Sequence, residues 1–236
     1  MAINLRRTSQ VHAQGVKMLV YGEAGAGKTT LISTLPSPVI LSAEAGLLSL
    51  QGHDIPYIEI DSMTTLGEAY EWLTESEEGK AFESVTLDSI SEIAEVCLSG
   101  EKAISKDGRA AYGETNEKMA QLIRAFRDLT GRHVLMTAKL EKVQDEQGRI
   151  LYGPSMPGKR LSQELPFFFD EVLAMRIERD AEGTIQRALQ CAPDGLWSAK
   201  DRSGKLDMYE GPDLGAVIAK IMADRGGASM KMHNAN

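Results

Sequence analysis

Continuous apolar runs mark the chain's buried strands. VKMLVY (16–21) and HVLMTAK (133–139) read as strands covered on both faces, with PVILSAE (38–44) a third of the same kind. YIEID (57–61) and FESVTLDS (82–89) read as shorter strands. Between them, helical patterning predicts Lys28–Leu35, stopped by Pro36 and Pro38, and 63–78, with Leu66, Ala69, Tyr70 and Leu73 on one face. It also predicts helices over Ile90–Lys102 and 115–130, with KDGRAAYGE as the loop between them. EKVQDEQGRILYGP reads as a β-hairpin turning near Glu146–Gly148, and KRLSQELPFFF as a short helix closed at Pro166. Strands over 170–178 and 184–191 flank a turn at Asp180–Gly183, and a last helix covers 212–224. Strands alternating with helices, then a β-rich end, predict an α/β fold: a mainly parallel central sheet flanked by helices, with an antiparallel β extension. The expected layout is a polar N-terminal arm (1–14), one domain (15–225) and a disordered tail (226–236).

Length and composition agree with one soluble core: 236 residues, 42% hydrophobic and 25% charged. No apolar run approaches a membrane span and no secretory signal opens the chain, so a cytoplasmic protein with no membrane partner is expected. Cys97 and Cys191 are too few for a disulfide framework and are expected as reduced, buried thiols. His12, His53, His133 and His233 are scattered, which argues against a zinc site. The net charge of −8 is unevenly spread. Residues 43–101 carry 14 acids and one base, Lys80, whereas 102–160 carry 12 bases and 7 acids. That basic third is either a surface for an anionic ligand or a set of solvated charges.

The chemistry gathers at the strand ends. GEAGAGKT, from Gly22 through Glu23, Ala24, Gly25, Ala26 and Gly27 to Lys28 and Thr29, satisfies GxxxxGK[ST] between a strand and a predicted helix. Its backbone amides would cradle phosphates, with Lys28 reaching the β- and γ-phosphates, Thr29 holding Mg²⁺ and Thr30 completing the binding loop. Asp88, closing SVTLD, supplies the Mg²⁺-facing carboxylate; Ser89 follows where many ATPases place their base. Glu44 is therefore the candidate catalytic carboxylate, with Asp61 ranked second. Lys139 ends the 133–139 strand as a candidate γ-phosphate sensor, and Thr137 competes for that role. Two basic sets, Lys102, Lys106, Arg109 and Tyr112, then Lys142, Arg149, Tyr152, Lys159 and Arg160, are candidates for holding nucleic-acid phosphates with a base on an aromatic ring. Phe167–Phe169 are expected in the core.

VKMLVYGEAGAGKTT, PVILSAEAG and ESVTLDSISEI resemble, in order, the first strand and P-loop, the glutamate-ending strand and the aspartate–serine strand of the RecA/Rad recombinase ATPase core. GRAAYGE and VLMTAK narrow the resemblance to phage-encoded ATP-binding proteins of the Sak type, which anneal single strands. The resemblance implies ATP with Mg²⁺, hydrolysis through Glu44 and Lys28, and single-stranded DNA held by the segments 102–112 and 142–160. It further implies a single-strand-binding protein as neighbour, a homo-oligomer and, for a phage protein, the host cytoplasm. A nucleotide-switched loader acting on a protein partner is the alternative; a P-loop kinase is weaker, because no arginine-rich lid is found.

Overall fold

The computed structural model describes residues 15–44, 46–179 and 182–223. The predicted arm and tail, with His12 and His233, lie outside the described residues, as does part of the turn at Asp180–Gly183. The strands are β1 (Lys17–Gly22), β2 (Pro38–Ser42), β3 (Tyr57–Glu59), β4 (Ser84–Asp88), β5 (His133–Gln144), β6 (Ile150–Pro154), β7 (Glu171–Arg179), β8 (Ile185–Gln190), β9 (Lys200–Asp201) and β10 (Tyr209–Glu210). The helices are α1 (Met63–Glu75), α2 (Glu77–Lys80), α3 (Ile90–Ile104), α4 (Gly108–Arg127), α5 (Lys159–Glu164) and α6 (Leu214–Met222).

A parallel sheet in the order β3-β2-β4-β5-β1-β7 forms the centre; β8 and β10 extend it antiparallel beyond β7, while β6 pairs β5 and β9 pairs β7. The α/β class, with mainly parallel strands and an antiparallel extension, is the one the patterning predicted. Alternate residues of each strand feed opposite layers. Leu19, Tyr21, Val85 and Leu87 pack with α1, α3 and α4, while Met18, Val20, Ile40 and Leu173 pack with α6 and a 3-10 turn at Thr30–Thr34. Both cysteines are free and buried, and no described helix is long and apolar enough to cross a membrane.

Three predicted elements and one expected core residue are corrected. The helix expected over Lys28–Leu35 is only the 3-10 turn Thr30–Thr34, because Ser33 and Thr34 donate their hydroxyls back to the carbonyls of Thr30 and Leu31 before the prolines end the segment. The helix expected over 63–78 breaks at Ser76, whose hydroxyl accepts from Gly79 N–H and starts α2. The loop KDGRAAYGE is mostly the first turns of α4, since Asp107 caps Arg109 N–H at 2.9 Å and overrides the glycines; only Ser105–Asp107 separates α3 from α4. Phe168 and Phe169 are buried, but Phe167 is 78% exposed.

A second cavity, of about 810 Å³, lies at the amino ends of β1 and β7, away from the glycine-rich loop. Lys17 lines it, donating to the carbonyls of Leu129 and Arg132 in the turn between α4 and β5, and burial pulls its pKa down to about 8. Glu171, 1% exposed and with Oε2 unpartnered, is pushed up to about 8 by burial and by the neighbouring Asp201 carboxylate. Its folded pKa exceeds the unfolded one, so its stabilising contribution is full below the unfolded carboxylate range and is lost as pH rises toward 8. Glu171→Gln should therefore gain about 1–2 kcal/mol in urea unfolding at pH 8 and almost nothing at pH 5; equal gains at both pH values would contradict this assignment.

Candidate nucleotide site

The carboxyl ends of β1, β2 and β4, with β5 at Lys139 where its parallel pairing ends, gather at one cleft of about 650 Å³. The glycine-rich loop forms its floor. Gly25 and Gly27 have φ of +75° and +103°, a left-handed backbone that side chains resist and that lets successive amides face inward. Gly22 serves packing as well: a Cβ there would lie 3.0 Å from both Cβ and O of Met175 on β7. No α-helix follows the loop, so the expected helix dipole is replaced by the amide cradle itself.

Lys28 donates its ammonium to the carbonyls of Gly22 and Glu23 at 2.9 and 3.0 Å, curling over the loop. Burial lowers its pKa, opposed by the charges of Glu44 and Asp88. Thr29 Oγ1 donates to Asp88 Oδ2 at 2.9 Å, and Thr137 Oγ1 donates to Asp88 Oδ1. Asp88 is 2% exposed, and burial raises its pKa against those two hydrogen bonds. Mg²⁺ fits this donor set: two oxygens meet at the loop, and a dication would compensate the charge that burial disfavours.

Glu44 lines the same cleft. Ser89 Oγ donates to Glu44 Oε1 at 2.5 Å, and Ala43 N–H donates to Asp88 O at 2.9 Å, so the end of β2 is tied to the end of β4. The Asp88–Ser89 peptide is cis. Asp61, the second-ranked carboxylate, is not in this cleft; it accepts from Thr65 at 2.6 Å beside the start of α1. Lys139 and Thr30 also line the cleft; the Lys139 ammonium donates to Glu92, while its N–H donates to Ser91 Oγ at 2.9 Å. Thr137, the competing sensor, is fully buried as a support for Asp88.

The two basic sets are divided differently than their spacing suggested. Lys102 lies 5.2 Å over the Tyr112 ring, and a Cβ at Gly158 would lie 3.5 Å from that ring, which brings the start of α4 against the start of α5. Lys106, Arg109 and Lys159 are exposed; Arg160 pairs with Glu164, and Arg149 pairs with Asp145 at the hairpin tip. Lys142 instead lines the nucleotide cleft and pairs with Glu23 at 2.8 Å. Sequence reasoning missed Arg187 of β8, which donates to Ala26 O at 3.1 Å; 161 residues separate the two and no local pattern joins them. Among the described residues there is no group of three or more His, Cys, Asp or Glu able to hold a metal.

The sequence profile of the AAA domain family matches residues 14–203. The chain belongs to the AAA domain family. This AAA domain is therefore a nucleotide-binding ATPase-type domain, of a family that generally binds ATP with Mg²⁺. No curated protein matches its sequence. Among solved structures, the AAA domain is similar to a KaiC-like protein of the hyperthermophilic archaeon Pyrococcus horikoshii OT3, at 13% identity, TM-score 0.41, with 75% of this chain and 79% of that one covered. It is also similar to the flagellar accessory protein FlaH of Methanocaldococcus jannaschii, at 10% identity, TM-score 0.41, covering 76% and 78%.

Removing the Lys28 ammonium takes away charge-assisted hydrogen bonds to phosphate. Lys28→Ala should weaken ATP binding by roughly 10- to 100-fold in a fluorescent-nucleotide titration; an unchanged affinity would exclude this cleft as the phosphate site.

Proposed function

We propose that this AAA domain is an ATP- and Mg²⁺-dependent, single-stranded-DNA-binding recombination protein with a RecA-like core, akin to the phage-encoded Sak-type annealing proteins. The nucleotide half of the reading rests on four groups converging on one cleft: the loop with Lys28, the Thr29–Asp88 pair, Glu44 and Lys139. Thr29 and Asp88 would hold Mg²⁺, which supplies charge neutralisation at the phosphates. Glu44, oriented by Ser89, is the group able to position a water for attack on the γ-phosphate.

The observation that carries the DNA half is the approach of the two basic segments. Lys102 and Tyr112 meet Gly158 at the start of α5, setting an exposed aromatic ring beside a cation, the combination that suits a flexible anionic chain of stackable bases. Lys106 and Arg109, near Tyr112 in the sequence, are exposed. Partners under this reading are single-stranded DNA, a single-strand-binding protein and further copies of the chain.

Fluorescence polarisation with labelled single-stranded DNA across a salt series tests the DNA half: affinity should fall steeply with salt, and no binding at low salt with ATP and Mg²⁺ present would reject it. Glu44→Gln should keep ATP binding but slow hydrolysis by about 10²- to 10⁴-fold in a phosphate-release assay. Wild-type turnover in that variant would remove Glu44 from the reaction.

A further inference from the structure

Lys142 stands apart from the basic residues around it. Its ammonium is 2.8 Å from Glu23, inside the glycine-rich loop, and its side chain lines the cleft with Lys28, Lys139 and Glu44. Its mounting is firm. Across the hairpin it faces Tyr152, whose ring lies 5.8 Å below the ammonium. That ring stacks on Trp197 at 4.3 Å and 8°, and Trp197 also carries the Arg176 guanidinium 4.3 Å from its centroid. The backbone is tied as well: Tyr152 N–H donates to Leu196 O, Ser198 N–H donates to Tyr152 O, and Tyr21 donates its hydroxyl to Ser198 O. The root of the β5–β6 hairpin is thereby fixed to the central sheet, and the Lys142 side chain is its extension toward the loop.

We propose that Lys142 is a positioning residue for the nucleotide's terminal phosphates, and that Glu23 competes with those phosphates for its ammonium. Both partners are more than half exposed, so their ion pair is weak and readily exchanged. A polyphosphate held on the loop presents several anionic oxygens beside the same ammonium and is the stronger acceptor. The exchange would make the hairpin responsive to what the loop holds: β5 runs without a break from the cleft, past Lys142, to the tip. The inference rests on the reading of the cleft as a nucleotide site, and it takes Lys142 out of the DNA-binding set.

The test is a double-mutant cycle read by titration with fluorescent ATP and AMP analogues on the full chain, with thermal unfolding run on each variant. Lys142→Met should weaken ATP binding by roughly tenfold and leave AMP binding nearly unchanged. Glu23→Gln should tighten ATP binding by roughly two- to fivefold, and that gain should vanish in the Lys142→Met background. Wild-type ATP affinity in Lys142→Met, an equal loss for AMP, or an equal Glu23→Gln gain in both backgrounds would overturn the proposal. ATP binding that needs Lys28 but ignores Lys142 rejects this inference alone; a wild-type protein that binds no ATP rejects the nucleotide-site reading together with it.

Discussion

The Asp88 carboxylate, buried at the end of β4, holds the site together. Thr29 reaches it from the glycine-rich loop and Thr137 reaches it from β5, while its own backbone carbonyl takes the N–H of Ala43 at the end of β2. Three neighbouring strands and the loop are joined through one residue. A carboxylate so deeply buried is costly unless hydrogen-bonded or paired with a cation, and two hydroxyls alone leave its pKa raised. The unrelieved part of that cost is what makes the position suited to a divalent cation.

Around this anion the cleft keeps its cations occupied by internal acceptors. Lys28 rests on loop carbonyls, Lys139 on Glu92 and Lys142 on Glu23. The acceptors differ in kind: carbonyl dipoles for the loop lysine, full carboxylates for the two lysines of β5. Anion binding at such a site is an exchange of partners rather than the filling of a bare positive field, so affinity follows the difference between acceptors more than the number of lysines.

The sheet was legible because parallel strands buried on both faces leave unbroken apolar runs, and residues closing those runs fall on one edge of the sheet. Gly22, Glu44, Asp88 and Lys139 were located together for that reason; Gly22, Glu44 and Lys139 line the cleft, and Asp88 lies buried behind it, bonded to Thr29. Helix boundaries were less legible, since they depend on single side-chain hydrogen bonds: Asp107 starts α4 within a glycine-containing stretch, and the hydroxyls of Ser33 and Thr34 tighten the turn after the loop. The two-residue strands β9 and β10 carry too few positions to show any period. Contacts such as Arg187 with Ala26, or Lys142 with Glu23, join segments more than a hundred residues apart and leave no trace in spacing. Charge counting identified a basic third of the chain but could not tell which of its cations face the cleft.

Gly22 ends β1 where a side chain would collide with Met175 of the neighbouring strand. The first glycine of a widespread phosphate-binding motif is thus, in this chain, also a spacer between two strands. Its substitution would press on β7 at Met175, and β7 carries Arg176 and borders the strand that supplies Arg187. Drift at position 22 would therefore be tolerated only where the chain at Met175 could recede by a few tenths of an ångström, which couples the evolutionary freedom of the loop to that of the antiparallel extension.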